Sequence, residues 1–513
     1  MVTKHVDVLI VGAGLSGIGA AAHLRRECPK KTFAIIERRQ NMGGTWDLFR
    51  YPGIRSDSDM FTLGYNFKPW KNDKSIADGD SILKYIKETA DEYRLNEHIY
   101  YGRKVVAGNW SSASASWTLT AENEQTGETE TFSANYLIGC TGYYNYEAGY
   151  TPDFPGINNY QGEVVHPQKW TDDIDYANKN VVIIGSGATA VTLLPAMAET
   201  AAHVTMLQRS PTYVATVPEK DEISIRLRRY LPEKVVYHLA RARNVALQRT
   251  IYELSKKRPK TMRRLLLGAA RRQLGDDFDM RHFKPRYNPW DERLCAVPNG
   301  DLFKVLRKGK GSVVTDHIDT FTRDGILLKS GKELKADMVI TATGLDVKIA
   351  GNMQPTVDGK KVQVNQCLTY KGAMLSGVPN FSMVFGYTNS SWTLKADLVA
   401  EFTCRLINYM DKRGIPYCVP EAGPDDASDG PFLDLQSGYI QRAAHQLPRQ
   451  GRRGPWKVVQ NYFRDIPMLR FGRLDDGILK FAEPRTKPLT QIPLDRAFTA
   501  IGRGIDRWLT GHH

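Results

Sequence analysis

The chain has 513 residues, of which 42% are hydrophobic and 25% charged, and its formal net charge is +14. This length exceeds what one hydrophobic core usually supports, so two or three domains are expected. The composition is typical of a soluble globular protein, and no apolar run approaches the roughly 18–20 residues that span a bilayer. The sequence therefore argues against an integral membrane protein and against a disordered chain.

The first predicted strand, 6–11, runs directly into a glycine-rich turn, Gly12-Ala13-Gly14-Leu15-Ser16-Gly17. The first glycine of such a turn allows the sharp bend, and the second lets the backbone approach a pyrophosphate. The third permits close packing of helix on strand, and Ser16 lies at the helix N-terminus that faces the phosphates. Glu37, followed by Arg38, ends the next predicted strand, where a carboxylate binds a free ribose diol. The pattern predicts a site for FAD.

A second turn of the same kind, Gly185-Ser186-Gly187-Ala188-Thr189-Ala190, follows the apolar run 181–184. Here the next predicted strand, 203–207, ends in Gln208-Arg209-Ser210, with no acidic residue. A guanidinium at this point suits a 2′-phosphate, which favours NADPH as the second nucleotide. Two dinucleotides in one chain indicate electron transfer between them.

The order of these segments predicts an α/β protein with two Rossmann-like dinucleotide-binding domains. A third strand-to-glycine transition, at 338–344, typically returns the chain to the first domain. The resulting assignment is an FAD-binding domain at 1–150 and 336–513, with a C-terminal region, and an NADPH-binding domain at 151–210 and 291–335. A helical insertion at 211–290 interrupts the second domain.

The insertion is strongly basic, because residues 220–272 contain 16 Lys or Arg and only 4 Asp or Glu. A solvated helical face that happens to be basic is the favoured interpretation. Peripheral contact with an anionic membrane surface is the alternative. Nucleic acid is not expected as a partner, since no recognised nucleic-acid-binding motif accompanies the charge.

The cysteines show no paired spacing, which predicts a reducing, cytoplasmic compartment and neither a disulfide framework nor a metal site. They are Cys28, Cys140, Cys295, Cys367, Cys404 and Cys418.

Between the two turns, the segment 160–170 carries Gly162, His166 and Trp170. Their spacing resembles the F-x-G-x-x-x-H-x-x-x-W-P/D fingerprint of Baeyer–Villiger monooxygenases, with Tyr160 in place of the phenylalanine and Thr171 in place of the final residue. A second segment looks like the other motif of this family, G-x-W-x(4)-Y/F-P-G-x(3)-D. It comprises Gly44, Thr45, Trp46, Tyr51-Pro52-Gly53 and Asp57.

The chain is thus similar to class B flavoprotein monooxygenases of the Baeyer–Villiger type. The runs 43–60, 287–295 and 389–398 resemble a mycobacterial subgroup, the ethionamide-activating monooxygenases, and the similarity extends to about residue 485. The resemblance implies an enzyme that uses FAD, NADPH and O2 to convert ketones to esters or lactones through a C4a-peroxyflavin. It also implies S-oxidation of thioamides or thioethers as a further activity.

The resemblance also implies roles for individual residues. Thr45, Trp46 and Asp57 would lie along the flavin and near the nicotinamide. Arg293 would be the catalytic arginine, oriented by Asp57, since a guanidinium stays charged and stabilises an anionic peroxide. Many relatives have a lysine immediately before this arginine, whereas this chain has Glu292, which leaves Arg209 as the main partner of the 2′-phosphate. His166 would couple nucleotide binding to domain rotation.

Two alternatives share part of this pattern. An N- or S-hydroxylating flavin monooxygenase also has both turns, and Trp170 and Arg293 argue against it. A flavin-binding or membrane-surface protein without turnover needs only the first turn and the basic insertion. A pyridine-nucleotide disulfide reductase is rejected, because no C-x-x-C or C-x(4)-C pair occurs. The native substrate and the oligomeric state do not follow from the sequence.

Overall fold

The computed structural model describes residues 4–292, 294–426, 430, 432 and 438–482. The strands are β1 Lys4–Val11, β2 Phe33–Ile36, β3 Ile99–Tyr100, β4 Arg103–Ser111, β5 Ser116–Asn123, β6 Thr129–Gly139, β7 Glu163–Val165, β8 Asn180–Ile184, β9 His203–Gln208, β10 Tyr213–Val217, β11 Leu294–Pro298, β12 Gly311–Thr315, β13 Ile318–Phe321, β14 Gly325–Leu328, β15 Glu333–Lys335, β16 Met338–Thr341, β17 Gln354–Val357, β18 Lys360–Lys361, β19 Thr369–Tyr370, β20 Met374–Leu375, β21 Phe381–Met383, β22 Tyr417–Pro420 and β23 Leu479–Ala482. The helices are α1 Leu15–Glu27, α2 Thr45–Leu48, α3 Met60–Leu63, α4 Gly79–Glu92, α5 Ala188–Met197, α6 Glu222–Leu227, α7 Glu233–Lys257, α8 Pro259–Leu274, α9 Asp301–Arg307, α10 Trp392–Arg413, α11 Gly438–Ala443 and α12 Tyr462–Ile466.

The first sheet has nine strands, and its centre is parallel. β1 pairs in parallel with β2 on one side and with β6 on the other, and the far end of β6 pairs with β21. The β1 residues Leu9 and Ile10 are fully buried, because helices cover one face and the β4–β5–β6 antiparallel extension covers the other. Parallel strands place their carboxyl ends at one edge, so the first glycine turn lies at that edge beside the end of β6.

The second sheet has five strands in the order β12-β9-β8-β16-β7, all parallel. The two-nucleotide α/β architecture predicted from the sequence is therefore present. The position of β16 differs from the predicted domain boundary. The boundary at 335/336 assigned β16 to the FAD-binding domain, whereas β16 hydrogen bonds to both β7 and β8 of the second sheet. Its four residues are all buried, and the chain leaves this sheet only after Thr341.

The backbone of the described residues crosses between the two sheets after β6 and again after β16. The two crossing segments lie side by side. Tyr144 and Val347 form an antiparallel bridge, the Asn145 N–H donates to the Asp346 carbonyl at 2.9 Å, and the Lys348 N–H donates to Tyr143 at 3.0 Å. The two crossing segments thus pair with each other over a short length and are not two independent linkers.

The insertion contains helices α6, α7 and α8, as the sequence predicted, but it begins with a strand. β10 pairs in parallel with β11, about eighty residues further along the chain. This long separation leaves no local pattern by which the sequence could reveal the pair. α7 extends away from the second sheet and packs on the first unit, where Tyr237 and Ala240 are buried among core residues of that unit.

A buried charge network joins α7 to the first unit. The Arg241 guanidinium, 7% exposed, pairs with Asp397 of α10 at 3.1 Å and donates to the carbonyls of Phe61 and Gly64 at 2.9 and 2.7 Å. His23 of α1 lies against the other oxygen of Asp397 at 3.3 Å. Because a buried charge is costly unless it is paired, these contacts fix the three elements relative to one another.

His23 provides a test of this network through the pH dependence of stability. Burial disfavours its charge, but hydrogen bonds to Asp397 and Glu27 outweigh burial and raise the pKa of His23 from 6.5 to about 9. Because the folded pKa lies above the unfolded value, the stabilisation is complete below about pH 6.5 and is lost as the pH rises toward 9. At about 1.4 kcal/mol per pKa unit, it amounts to about 3 kcal/mol.

We expect His23→Gln to lower the melting temperature most below pH 6.5 and least near pH 9. Thermal unfolding of both proteins across this range measures the difference, with His5→Gln, an exposed position of β1, as the control. A gap between wild type and His23→Gln that stays constant with pH would contradict a charged His23.

Candidate active site

The first glycine turn has the geometry that close approach to a phosphate requires. Gly12 has a φ of +105°, and a Cβ atom added there would lie 2.5 Å from the Cys140 carbonyl oxygen. Gly14 faces Gly44, whose Cα would be 3.4 Å from an added Cβ. A Cβ on Gly17 would overlap the Gly12 carbonyl, which explains the third glycine. The turn is therefore a tight cradle of backbone, and it fits a pyrophosphate.

Glu37 is buried at the end of β2, as the ribose-binding position requires. Its carboxylate accepts hydrogen bonds from the N–H groups of Ala13 and Arg39 at 2.7 and 2.8 Å, and burial raises its pKa. An ionised carboxylate has about four acceptor sites, so two remain for the hydroxyls of a ribose diol. Arg38 lies beside the cleft and pairs with Glu124 at 2.7 Å and with Glu147 at 3.3 Å.

The cleft that includes Gly12, Gly14 and Glu37 is completed by residues that the sequence did not single out. The cationic ones are Arg103 and Lys104 at the start of β4 and Lys348 on the returning crossing segment. The Tyr146 ring also lines the cleft. Nothing local marks these residues, because they come from the antiparallel extension and from a segment 200 residues later. An adenosine diphosphate group fits this mixed apolar and basic surface.

The segment with the Gly44-Thr45-Trp46 motif lies directly on the first turn. Gly43 and Gly14 form a β-bridge, and the Gly43 N–H donates to the Ala13 carbonyl at 2.9 Å. Thr45 and Trp46 begin α2, where both are half-buried and Trp46 packs on the first core. Two motifs separated along the sequence therefore meet in space.

The other end of the same segment contacts the second nucleotide unit. Gly53 has a φ of +75°, and an added Cβ would lie 2.7 Å from the Ala196 Cβ of α5. The hydroxyl of Tyr51 interacts with Thr189 of the second turn, and burial raises the pKa of Tyr51 to about 12. Arg55 pairs with Asp301 of α9 at 2.5 Å.

Asp57, four residues beyond Gly53, is exposed to solvent at the end of this bridging segment. Burial is the main cause of the raised pKa of Tyr51, and the negative charge of Asp57 is a smaller cause that acts in the same direction. The structure therefore brings Asp57 to the boundary between the two nucleotide units.

The N-terminus of α10 approaches the first turn from the other side. Trp392 donates its indole N–H to the Ser16 hydroxyl at 2.8 Å. The flanking hydroxyls of Ser391 and Thr393 are buried and have no hydrogen-bond partner in the part of the chain that the structure describes. Buried polar groups without partners are rare, so these hydroxyls and the free N–H groups of the helix end fit a polar cofactor edge.

The second glycine turn is more open than the first. Gly185 has a φ of +136°, and an added Cβ would overlap the Ala342 carbonyl, whereas an added Cβ at Gly187 would meet nothing within 4 Å. Ser186 donates to the Ser210 carbonyl at 3.2 Å, and Ala190, in the first turn of α5, is fully buried. The space over Gly187 is where a second pyrophosphate would approach.

Arg209 and Ser210 lie exposed at the carboxyl end of β9, where the ribose of a second nucleotide is expected. Glu292 is close enough to be affected by the charge of Arg209. Burial raises the pKa of Glu292, and Arg209 opposes this effect.

The fingerprint 160–170 packs at the junction of the units. His166 accepts the Gln168 N–H at Nδ1, at 3.2 Å, and its Nε2 lies 3.3 Å from the Gly344 carbonyl on the returning crossing segment. Burial lowers the pKa of His166, so the neutral ring, with its proton on Nε2, links the segments. Trp170 is buried in the second core, and Gly162 leaves room for the Asp337 carbonyl.

Arg293 lies outside the described residues. Its neighbours are described, and they stand beside the second turn: the Cys295 sulfur is 4.0 Å from the Ser186 carbonyl. The preceding loop is held by α7, since Lys256 donates to the Trp290 carbonyl at 3.0 Å and pairs with Asp291 at 3.1 Å.

Comparison with known proteins agrees with this geometry. A family model described as flavin-binding monooxygenase-like matches residues 4–374. The FAD-containing monooxygenase MymA of Mycobacterium tuberculosis, named as putative, is 54% identical over 484 residues, which cover 93% of this chain and 98% of MymA. The FAD-containing monooxygenase EthA of the same organism is 51% identical over 483 residues, covering 94% of this chain and 98% of EthA.

Solved structures with the same fold are monooxygenases. Oxidised steroid monooxygenase bound to NADP has a TM-score of 0.72 and 20% identity, covering 94% of this chain and 100% of that one. The open structure of cyclohexanone monooxygenase has a TM-score of 0.69 and 21% identity, covering 82% and 90%.

The chain therefore belongs to the flavin-binding monooxygenase-like family. It is a flavin-dependent monooxygenase, and the resemblance stated from its motifs is confirmed. The prediction that it uses FAD is confirmed by the same relatives, which are named as FAD-containing, and NADPH as the second nucleotide stays a prediction. The assignment of individual residues to each nucleotide remains a prediction.

Gly187 offers a clean test of the second nucleotide site. Because an added Cβ has free space there, we expect Gly187→Ala to fold with an unchanged melting temperature and a full FAD content. The methyl group would keep the pyrophosphate from the backbone, so KM for NADPH should rise at least about tenfold. Gly268→Ala in α8, also with nothing within 4 Å, is the matched control. An unchanged KM would place the pyrophosphate elsewhere.

Proposed function

We propose that the chain is a Baeyer–Villiger monooxygenase that inserts one oxygen atom of O2 into ketones to give esters or lactones. The observation that supports this most is the position of the segment 44–57. It contacts the first turn at Gly44 and the second unit at Gly53, and it ends at Asp57. A residue at this point can act on a reaction that needs both nucleotides.

In this proposal each nucleotide has its own set of residues. The FAD site comprises Gly12, Gly14, Ser16, Gly17, Glu37, Arg38, Gly44, Thr45 and Trp46. The NADPH site comprises Gly185, Ser186, Gly187, Thr189, Ala190, Arg209 and Ser210. Bound FAD would supply hydride acceptance from NADPH and activation of O2. Gly162, His166 and Trp170 keep the two units in register, since His166 contacts the returning segment and Trp170 the second core.

Arg293 and Asp57 carry the catalytic part of the proposal. An arginine side chain keeps its proton at all physiological pH values, so it stabilises negative charge that develops on oxygen without acting as an acid. The Asp57 carboxylate, at the boundary between the two units, would orient the guanidinium.

Oxygen transfer to sulfur in thioamides or thioethers is the second activity that this site supports, because sulfur is attacked by an electrophilic oxygen and needs no carbonyl adduct. An N- or S-hydroxylating monooxygenase remains the alternative. The buried Trp170, which packs edge-on against Tyr176 at 5.9 Å, favours the Baeyer–Villiger assignment through the fingerprint it completes.

For the surroundings of the enzyme, we propose the cytoplasm, with the basic insertion in contact with a membrane surface. The six cysteines are all buried free thiols. No helix in the described residues has both the length and the hydropathy that crossing a bilayer requires.

We expect Arg293→Ala to consume NADPH while ester formation from linear and cyclic ketones falls at least about a hundredfold. The reason is that hydride transfer does not need the guanidinium, whereas the anionic adduct does. Product analysis by gas chromatography, alongside NADPH and hydrogen peroxide assays, separates the two steps. Arg286→Ala, an exposed arginine of the same segment, is the control.

The result that would remove Arg293 from this role is retained ester formation. Sulfoxide without ester from the wild-type enzyme would instead favour the S-oxidising alternative.

A second variant tests the coenzyme preference. Arg209→Ala should reduce the preference for NADPH over NADH by roughly ten- to a hundredfold, the worth of a charge-assisted hydrogen bond to phosphate. Steady-state kcat/KM for both coenzymes measures it, with Arg307→Ala on the same unit as control. An unchanged ratio would mean that another residue binds the 2′-phosphate.

A further inference from the structure

Helix α7 exposes large apolar side chains in addition to the apolar residues that it buries. Of the twelve large hydrophobic side chains exposed in the described residues, nine lie between 223 and 265. Six of these, five on α7 and one on α8, are defined here as the outer strip: Val235, Leu239, Leu247, Ile251, Leu254 and Leu265. Leu239, Leu247 and Leu265 are at least half exposed, at 50%, 56% and 58%.

The outer strip cannot turn inward, because the opposite face of α7 is already engaged with the protein through buried apolar residues, such as Val236 and Val245, and through polar contacts. Arg241 is held by Asp397 and by backbone carbonyls. Asn244 and Gln248 donate to the Asp59 carboxylate at 2.9 and 3.1 Å, and the Tyr237 hydroxyl donates to the Tyr65 carbonyl at 2.8 Å. These residues recur every three or four positions and so share one side of the helix. The apolar side therefore faces away from the protein.

The surroundings of the outer strip are strongly basic. Residues 220–272 have a net charge of +12, from 16 Lys or Arg and 4 Asp or Glu. Arg258, Lys260 and Arg264 are exposed at the junction of α7 and α8, next to Leu254 and Leu265. Exposed apolar side chains flanked by cations match the two components of an anionic bilayer surface, acyl chains and negative headgroups.

A second copy of the chain is a poorer occupant. Its residues 220–272 have the same net charge of +12, so two such basic faces would repel each other across the contact. α7 is 25 residues long, about 37 Å, and lies along the surface of the protein, which allows the whole strip to meet a flat partner at once.

We propose that the outer strip and its flanking cations dock the enzyme on an anionic lipid surface, with α7 parallel to the membrane plane. Docking through this face does not depend on which substrate the enzyme takes. Docking leaves the flavin-containing unit against the membrane, because the inner face of α7 is bound to that unit through Arg241 and Asp397.

Co-sedimentation of the full-length, FAD-loaded enzyme with vesicles tests the proposal. We expect binding to mixed phosphatidylcholine–phosphatidylglycerol vesicles at low salt, weaker binding at high salt, and none to pure phosphatidylcholine. The triple variant Arg258→Gln, Lys260→Gln, Arg264→Gln should bind about a hundredfold more weakly. The triple variant Leu239→Gln, Leu247→Gln, Leu254→Gln should bind at least about tenfold more weakly.

The matched control removes three exposed lysines from the three-stranded β13–β15 region: Lys329→Gln, Lys332→Gln, Lys335→Gln. It should bind vesicles as the wild type does. FAD content and melting temperature confirm that each variant is folded, and ketone turnover without lipid reports on the site separately from docking.

No binding to anionic vesicles at low salt would overturn the proposal. So would an equal loss of binding in the lysine control, because the attraction would then be unspecific. A dimer in sedimentation velocity that the leucine variant converts to monomer, with no vesicle binding, would assign the outer strip to self-association instead.

Discussion

The close contact between Gly14 and Gly44 is the constraint on which the active site depends. A side chain at Gly44 would crowd the first turn, since an added Cβ would lie 3.0 Å from the Gly14 Cα, whereas one at Gly14 would reach ordinary van der Waals contact with Gly44. With both absent, backbone lies on backbone, and the segment continues in a fixed direction to Gly53 and α5. The spacing between the two nucleotide sites is therefore set by glycine contacts at both ends of one short stretch.

Several parts of this arrangement were predictable from the sequence, because they depend on local backbone chemistry. The positive φ angles at Gly12 and Gly185 follow from turns that only glycine makes easily, and the acid at Glu37 marks the end of a strand. The presence of a helical insertion also followed from periodicity. The family was also predictable from motif spacing, since Gly162, His166 and Trp170 occur at the required intervals.

Other parts were not predictable, because they depend on pairing over long distances. β16 joins the second sheet through hydrogen bonds to β7 and β8. No local pattern in the sequence of β16 reveals these partners. The cations Arg103 and Lys348 reach the cleft from segments that show no motif. Periodicity identified α7 as amphipathic but could not tell its inner face from its outer one. The buried Arg241 is a charge in the core, and its ion pair with Asp397 and its hydrogen bonds to backbone carbonyls explain why it is buried.

The paired crossing segments have a mechanical consequence. Two polypeptide connections that lie side by side, joined at Tyr144 and Val347 and braced by His166 at Gly344, tie the two units together at one short stretch of backbone. Translation of one unit past the other would break the bridge. The same short pairing that connects the units thus opposes their displacement, together with the contacts at Gly53 and Arg55.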